Sequence, residues 1–122
     1  MQNVLVSEFE IKNFERPDKK TVFPGVSVDS VQLGAFTVTR MIFQPGWRWT
    51  DDLPALLGTD TCETPHPVWM VLSGRFVVRM DDGTEKEFGP GDLGSIPPGH
   101  DAWVKGDEPV HGIDIQVNGG GG

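Results

Sequence analysis

Short alternating runs of apolar and polar residues, punctuated by glycine and proline, recur along most of this chain. Val26-Ser27-Val28 and Val31-Gln32-Leu33 read as two short strands ending at Gly34, and Phe36 to Phe43 as a third strand running to Pro45-Gly46. Trp47 to Pro67 is irregular, broken by Pro54, Gly58, Pro65 and Pro67. Trp69 to Leu72 and Phe76 to Met80 flank Ser73-Gly74. In the second run Phe76, Val78 and Met80 share one face, the period of two expected of a half-buried strand. Asp82-Gly83 marks a hairpin tip of the type I′ kind, with Thr84 to Phe88 as its return strand. Leu93 to Ile96, Ala102 to Lys105 and Val110 to Val117 complete the series, separated by Pro97-Pro98-Gly99 and Gly106-Asp107-Glu108-Pro109.

Strands at this spacing, without helical periodicity, predict an all-β antiparallel sandwich or barrel. Residues 1–25 read as an N-terminal arm or edge strand, 26–117 as the barrel, and 118–122 as a glycine tail. Composition supports this: 122 residues make one domain, and 16 Gly and 10 Pro with many Val, Phe and Trp suit strands and tight turns. A net charge of −8 repels nucleic acid and anionic membranes, so neither is an expected partner. The single cysteine, Cys62, excludes an intrachain disulfide. Residues 1–25 lack both a basic head and an apolar run, so a cytoplasmic protein is expected.

Residues 34–117 resemble the cupins, in particular the short single-domain bacterial ones. Gly91, Pro97 and Gly99 stand at the spacing of the second cupin motif, and the stretches Leu72 to Arg75 and Met80 to Thr84 also look like the family. The resemblance implies a double-stranded β-helix (a jelly-roll barrel) and often a homodimer, here with residues 1–22 pairing with a second chain. It also implies a metal held by three histidines and a carboxylate. That ligand set is not in register here. Counting from Gly46 puts Asp52 and Pro54 at the first motif's histidines, and counting back from Gly74 puts Pro67 at its glutamate. The second motif's histidine falls at Ala102 and a later asparagine at Gly106.

Substitutes lie nearby. Asp52, Cys62, His66 and His100 offer a carboxylate, a thiolate and two imidazoles, donors that suit zinc, iron or manganese. Two features of register bear on them. Strict alternation from Gly74 puts Trp69 and Val71 on the ligand-bearing face and His66 on the other, unless a bulge intervenes near Pro65 and Pro67. His100 falls inside a turn. His111 shares a face with Ile113, Ile115 and Val117 and reads as a core histidine held by hydrogen bonds.

The aromatic residues supply a second kind of site. Trp47, Trp49, Trp69 and Trp103 lie close to the two motif regions, and with Met41 or Met70 they would line a lumen suited to a small organic ligand. Arg48, between two tryptophans, points to the opposite face. No nucleophile elbow, Walker loop or dinucleotide fingerprint is present. The expected function is therefore a small-molecule-binding cupin, with or without a divalent metal. The alternative is a metal-dependent dioxygenase, isomerase or cyclase using His66, His100 and Asp52 or Cys62, and an inert or regulatory barrel is the third reading.

Overall fold

The computed structural model describes residues 5–49 and 62–118. Among the described residues nine strands form: β1 (Lys19–Phe23), β2 (Val26–Leu33), β3 (Phe36–Phe43), β4 (His66–Ser73), β5 (Phe76–Met80), β6 (Glu85–Phe88), β7 (Leu93–Ile96), β8 (His100–Val104) and β9 (Val110–Val117). A six-stranded sheet runs β1-β2-β3-β9-β4-β7, and a three-stranded sheet β6-β5-β8 faces it. Every pairing is antiparallel. Their inner faces meet around Val26, Phe43, Trp47, Trp69, Val71, Phe76, Val78, Val104 and Val110, all buried. This is the expected barrel. Among the described residues no helix is long and apolar enough to cross a membrane.

Several local expectations change. The two short runs before Gly34 form one continuous strand, because the polar residues between them are paired rather than solvated. Asp29 is 1% exposed and accepts from Lys20 at 3.0 Å and Arg40 at 2.8 Å. Ser30 and Thr39 join hydroxyls across the β2–β3 ladder at 3.0 Å. The Asp29 cluster lies outside the barrel wall, since Val26 and Val28 on the alternate positions line the interior.

The N-terminal residues are tied to their own chain. Ala35 N–H donates to the Leu5 carbonyl at 3.0 Å, Gln32 N–H to Asp18 at 2.8 Å, and Arg40 reaches Glu15 at 3.0 Å. Residues 19–23 are a true edge strand, so the barrel sheet begins before residue 26.

The hairpin tip is where expected, but its turn is not type I′. Among the described residues only glycines have a positive φ, so Asp82 does not supply the required first position. Instead Gly83 N–H donates to Met80 O at 2.9 Å, and Met80 N–H to Thr84 O at 2.8 Å. With Gly83 alone in the left-handed region (φ 94°), this is a type I turn closed by a glycine bulge.

Candidate metal and ligand site

The interior divides along the strand direction. Toward the end of β3 and the start of β5 the aromatic rings pack together. Phe43 meets Trp47 at 4.5 Å between centroids and Phe76 at 4.9 Å, and Trp69 meets Phe76 at 5.3 Å. Toward the start of β4 and β8 a cavity of about 370 Å³ opens, and its polar lining consists mainly of Cys62, Thr64, His66, His100, Asp114 and Gln116.

Three of these side chains converge. The donor atoms of Cys62, His66 and His100 lie within 4.8 Å of one another, and Cys62 Sγ is 3.9 Å from His66 Nε2. Each arrives by a different local device. Cys62 is laced onto the start of β8 by backbone bonds: its N–H donates to His100 O at 2.6 Å, and its carbonyl accepts from Gly99 at 2.8 Å and His100 at 3.1 Å. His100 is the first residue of β8, not a turn residue, and is 4% exposed. Alternation puts it on the same inward face as Ala102, the motif's expected ligand position.

His66 reaches the cavity through a bulge. The register of β4 against β7 shifts between His66 and Trp69, so both side chains face inward where strict alternation would separate them. Ser95 Oγ donates to Pro67 O at 2.6 Å across that irregularity.

Both imidazoles are oriented for coordination. His66 Nδ1 lies 3.0 Å from Asp114 Oδ1, and His100 Nδ1 lies 3.0 Å from Pro97 O. Carboxylate and carbonyl oxygens only accept, so each Nδ1 carries a hydrogen and each neutral ring leaves its Nε2 lone pair free. The rings meet edge-to-face with centroids 5.3 Å apart.

In the metal-free protein the cluster holds its charge internally. Burial pushes the Cys62 thiol up, but hydrogen bonds from His100 and His66 and the backbone at Thr64 outweigh it and bring it down to about 6. Burial pushes His66 down, but its bonds to Asp114 and Cys62 prevail and raise it to about 9. A thiolate facing an imidazolium is the result near neutral pH.

Asp114, 3% exposed, is the residue the sequence reading missed. The apolar residues Ile113, Ile115 and Val117 suggested that their face of β9 was the core side. In the structure Val110, Gly112, Asp114 and Gln116 face the interior, and His111 sits half-buried on the outer face rather than in the core. The readable signal was Gly112 and Asp114 alternating between apolar neighbours, as on a strand covered on both faces. Gln116 holds the second carboxylate oxygen of Asp114 at 3.1 Å and also donates to Pro65 O at 2.8 Å. With both oxygens engaged, Asp114 acts as the support that orients His66. Asp114→Asn is therefore expected to weaken metal binding by roughly 10- to 100-fold and to lower the His66 pKa. Competition titration and imidazole NMR would read the two effects, and an unchanged His66 titration would refute this role.

Of the expected ligand-contact residues, Met41, Trp47, Trp49 and Trp69 line the cavity. Trp103 does not. It faces outward on β8, where the Arg48 guanidinium stacks 4.5 Å from its ring centre while bonding Asp101 at 3.0 Å. Met70 also falls outside the lining, on the alternate face of β4 from Trp69. Asp52 lies outside the described residues.

No protein-family model and no curated protein matches the chain. Solved structures do. A Cupin 2 conserved barrel domain protein from Salinispora arenicola superposes with a TM-score of 0.65 at 16% identity, covering 93% of this chain and 92% of that one. A cupin-like protein from Thermotoga maritima gives 0.60 at 21% identity, covering 92% and 85%. A sugar phosphate isomerase of the cupin superfamily from Silicibacter pomeroyi gives 0.57 at 22% identity, and this chain, matched over 78% of its residues, spans 60% of that chain's length. Together with the antiparallel two-sheet topology, these likenesses make the fold of this chain a cupin barrel.

Proposed function

We propose that this chain is a small metal-binding cupin that holds a divalent ion of the zinc type at Cys62, His66 and His100 and takes a small organic molecule in the adjoining cavity. The convergence of one thiolate and two pre-oriented imidazoles within 4.8 Å carries the reading. One sulfur with two nitrogens is a set that zinc accepts, and three protein donors leave a four-coordinate ion one position for an exogenous ligand. The site departs from the resemblance in an instructive way. Where the family's motif expects histidine the strand carries Ala102, and His100 supplies an imidazole two residues earlier on the same face. When bound, such an ion would polarise a donor atom delivered through the cavity. The cavity has the size and apolar lining of small-ligand sites.

Elemental analysis of protein purified without added metal tests this directly, followed by titration of the chelator-treated chain with zinc and cobalt(II). The expected result is uptake of one equivalent and a thiolate-to-cobalt charge-transfer absorption. A chain that takes up neither ion, and is purified without any metal, would refute this reading.

A further inference from the structure

We infer that the molecule taken into this cavity is uncharged and largely apolar, a compound of one or two rings with a neutral oxygen or sulfur donor, and not a phosphorylated metabolite. The inference deepens the function proposed above and depends on it only for the role given to that donor.

All 10 lysines and arginines lie within the described residues, because segments 1–4, 50–61 and 119–122 contain none. None of the 10 lines the cavity. The three that adjoin wall residues in sequence are committed elsewhere: Arg48 to Asp101 and the Trp103 ring, Arg40 to Asp29 and Glu15, and Arg75 to Glu87. A phosphate dianion entering an apolar cavity needs cationic partners to offset its desolvation, and this interior has no basic side chain other than its histidines.

A bound metal does not reverse this balance. The charge of a divalent ion is already matched by the Cys62 thiolate and the Asp114 carboxylate that holds His66, so no surplus positive charge is left for a dianion. The rest of the wall is aromatic and aliphatic, chiefly Phe43, Trp47, Trp49, Trp69, Phe76 and Met41. Such a surface favours a flat apolar ring. The side chains of Cys62, Thr64, His66, His100, Asp114 and Gln116 are gathered at one end, where a ligand needs a donor atom. The buried indole N–H groups of Trp47, Trp49 and Trp69 have no hydrogen-bond partner among the described residues, so they tolerate a neutral acceptor but supply no charge. The likeness in fold to a sugar phosphate isomerase therefore does not extend to ligand class.

The test compares three probes on the full chain by isothermal calorimetry: 2-naphthol, 2-naphthyl phosphate and glucose 6-phosphate. Each is run on zinc-loaded and zinc-free protein, with zinc content measured on the same samples. The expected result is saturable binding of 2-naphthol, binding of 2-naphthyl phosphate at least about tenfold weaker, equivalent to about 1.4 kcal/mol, and no heat from glucose 6-phosphate. Loss of 2-naphthol binding in Val28→Trp or Met41→Trp, whichever keeps the parent melting curve, would place the probe in the cavity. Either phosphate binding as tightly as 2-naphthol would overturn the inference, as would failure of 2-naphthol to bind either form or its undiminished binding to the filled variant. A chain that prefers 2-naphthol but holds no zinc would keep this inference and refute the metal reading. A chain that holds zinc but prefers a phosphate would do the reverse.

Discussion

Cys62→Ala and His100→Ala proteins are expected to bind zinc at least about a hundredfold more weakly than the parent, a loss of about 2.7 kcal/mol. Removing an outer support of a ligand already costs roughly 10- to 100-fold, and losing a donor outright costs more. His66→Ala belongs with them, since it deletes a donor and leaves Asp114 buried without its partner. The pH dependence follows from the metal-free charges. Metal uptake must displace the proton that His66 holds up to about 9, and below about 6 it must displace the Cys62 proton as well. Affinity should therefore rise with pH, by about tenfold per unit between these values and more steeply below the lower one. Competition titrations with a chromophoric chelator across this range measure both effects. A flat profile would mean that neither group is a ligand.

Gly112→Val should lower stability by about 3 kcal/mol, the upper part of the usual range for overpacking. For a chain of this length that corresponds to a melting temperature lower by on the order of 10 °C. Gly112 faces inward on β9 beneath the Trp69 indole. A Cβ there would run into Cη2 of that ring and lie 2.5 Å from Cζ2 and 2.8 Å from Cζ3. Trp69 is 2% exposed and packed against Phe43 and Phe76, so the ring can yield only toward the cavity it lines, at the cost of those aromatic contacts. Pairing Gly112→Val with Trp69→Phe should restore part of the loss, because the two sites share one contact. A single variant that melts within 2 °C of the parent, as an approximate threshold set against that shift, would show that the indole moves freely.

The architecture was legible because it is repeated: β3, β7 and β9 begin and end where their apolar runs and turn residues do. Three features of the site were not, each for a physical reason. A β-bulge reverses facing without leaving a mark in an alternation pattern, so His66 could be placed inside only by the Pro65 and Pro67 irregularity that hinted at one. On β9 both faces carry apolar residues, and alternation cannot say which is the lumen, so Asp114 was overlooked and His111 assigned to the core. Trp103 was placed with the other indoles because nothing in its sequence neighbourhood records that Arg48 covers it from outside. Cys62, by contrast, entered the candidate set on chemistry alone. The backbone bonds that bring it to His100 join segments nearly forty residues apart in the chain, as its bond to residue 100 requires.

The sulfur in that cluster also ties the site to redox conditions. Cys62 is the only cysteine in the chain, so no neighbouring thiol exists to trap an oxidised form as an internal disulfide. In the proposed metal site, oxidation to the sulfenic acid would remove the thiolate donor and release the ion. Only an external thiol could then restore the site, and further oxidation to the sulfinic acid would end its metal binding permanently. The proposed metal centre, built on one buried thiolate, would therefore record the oxidants its protein has met, each irreversible event silencing one barrel.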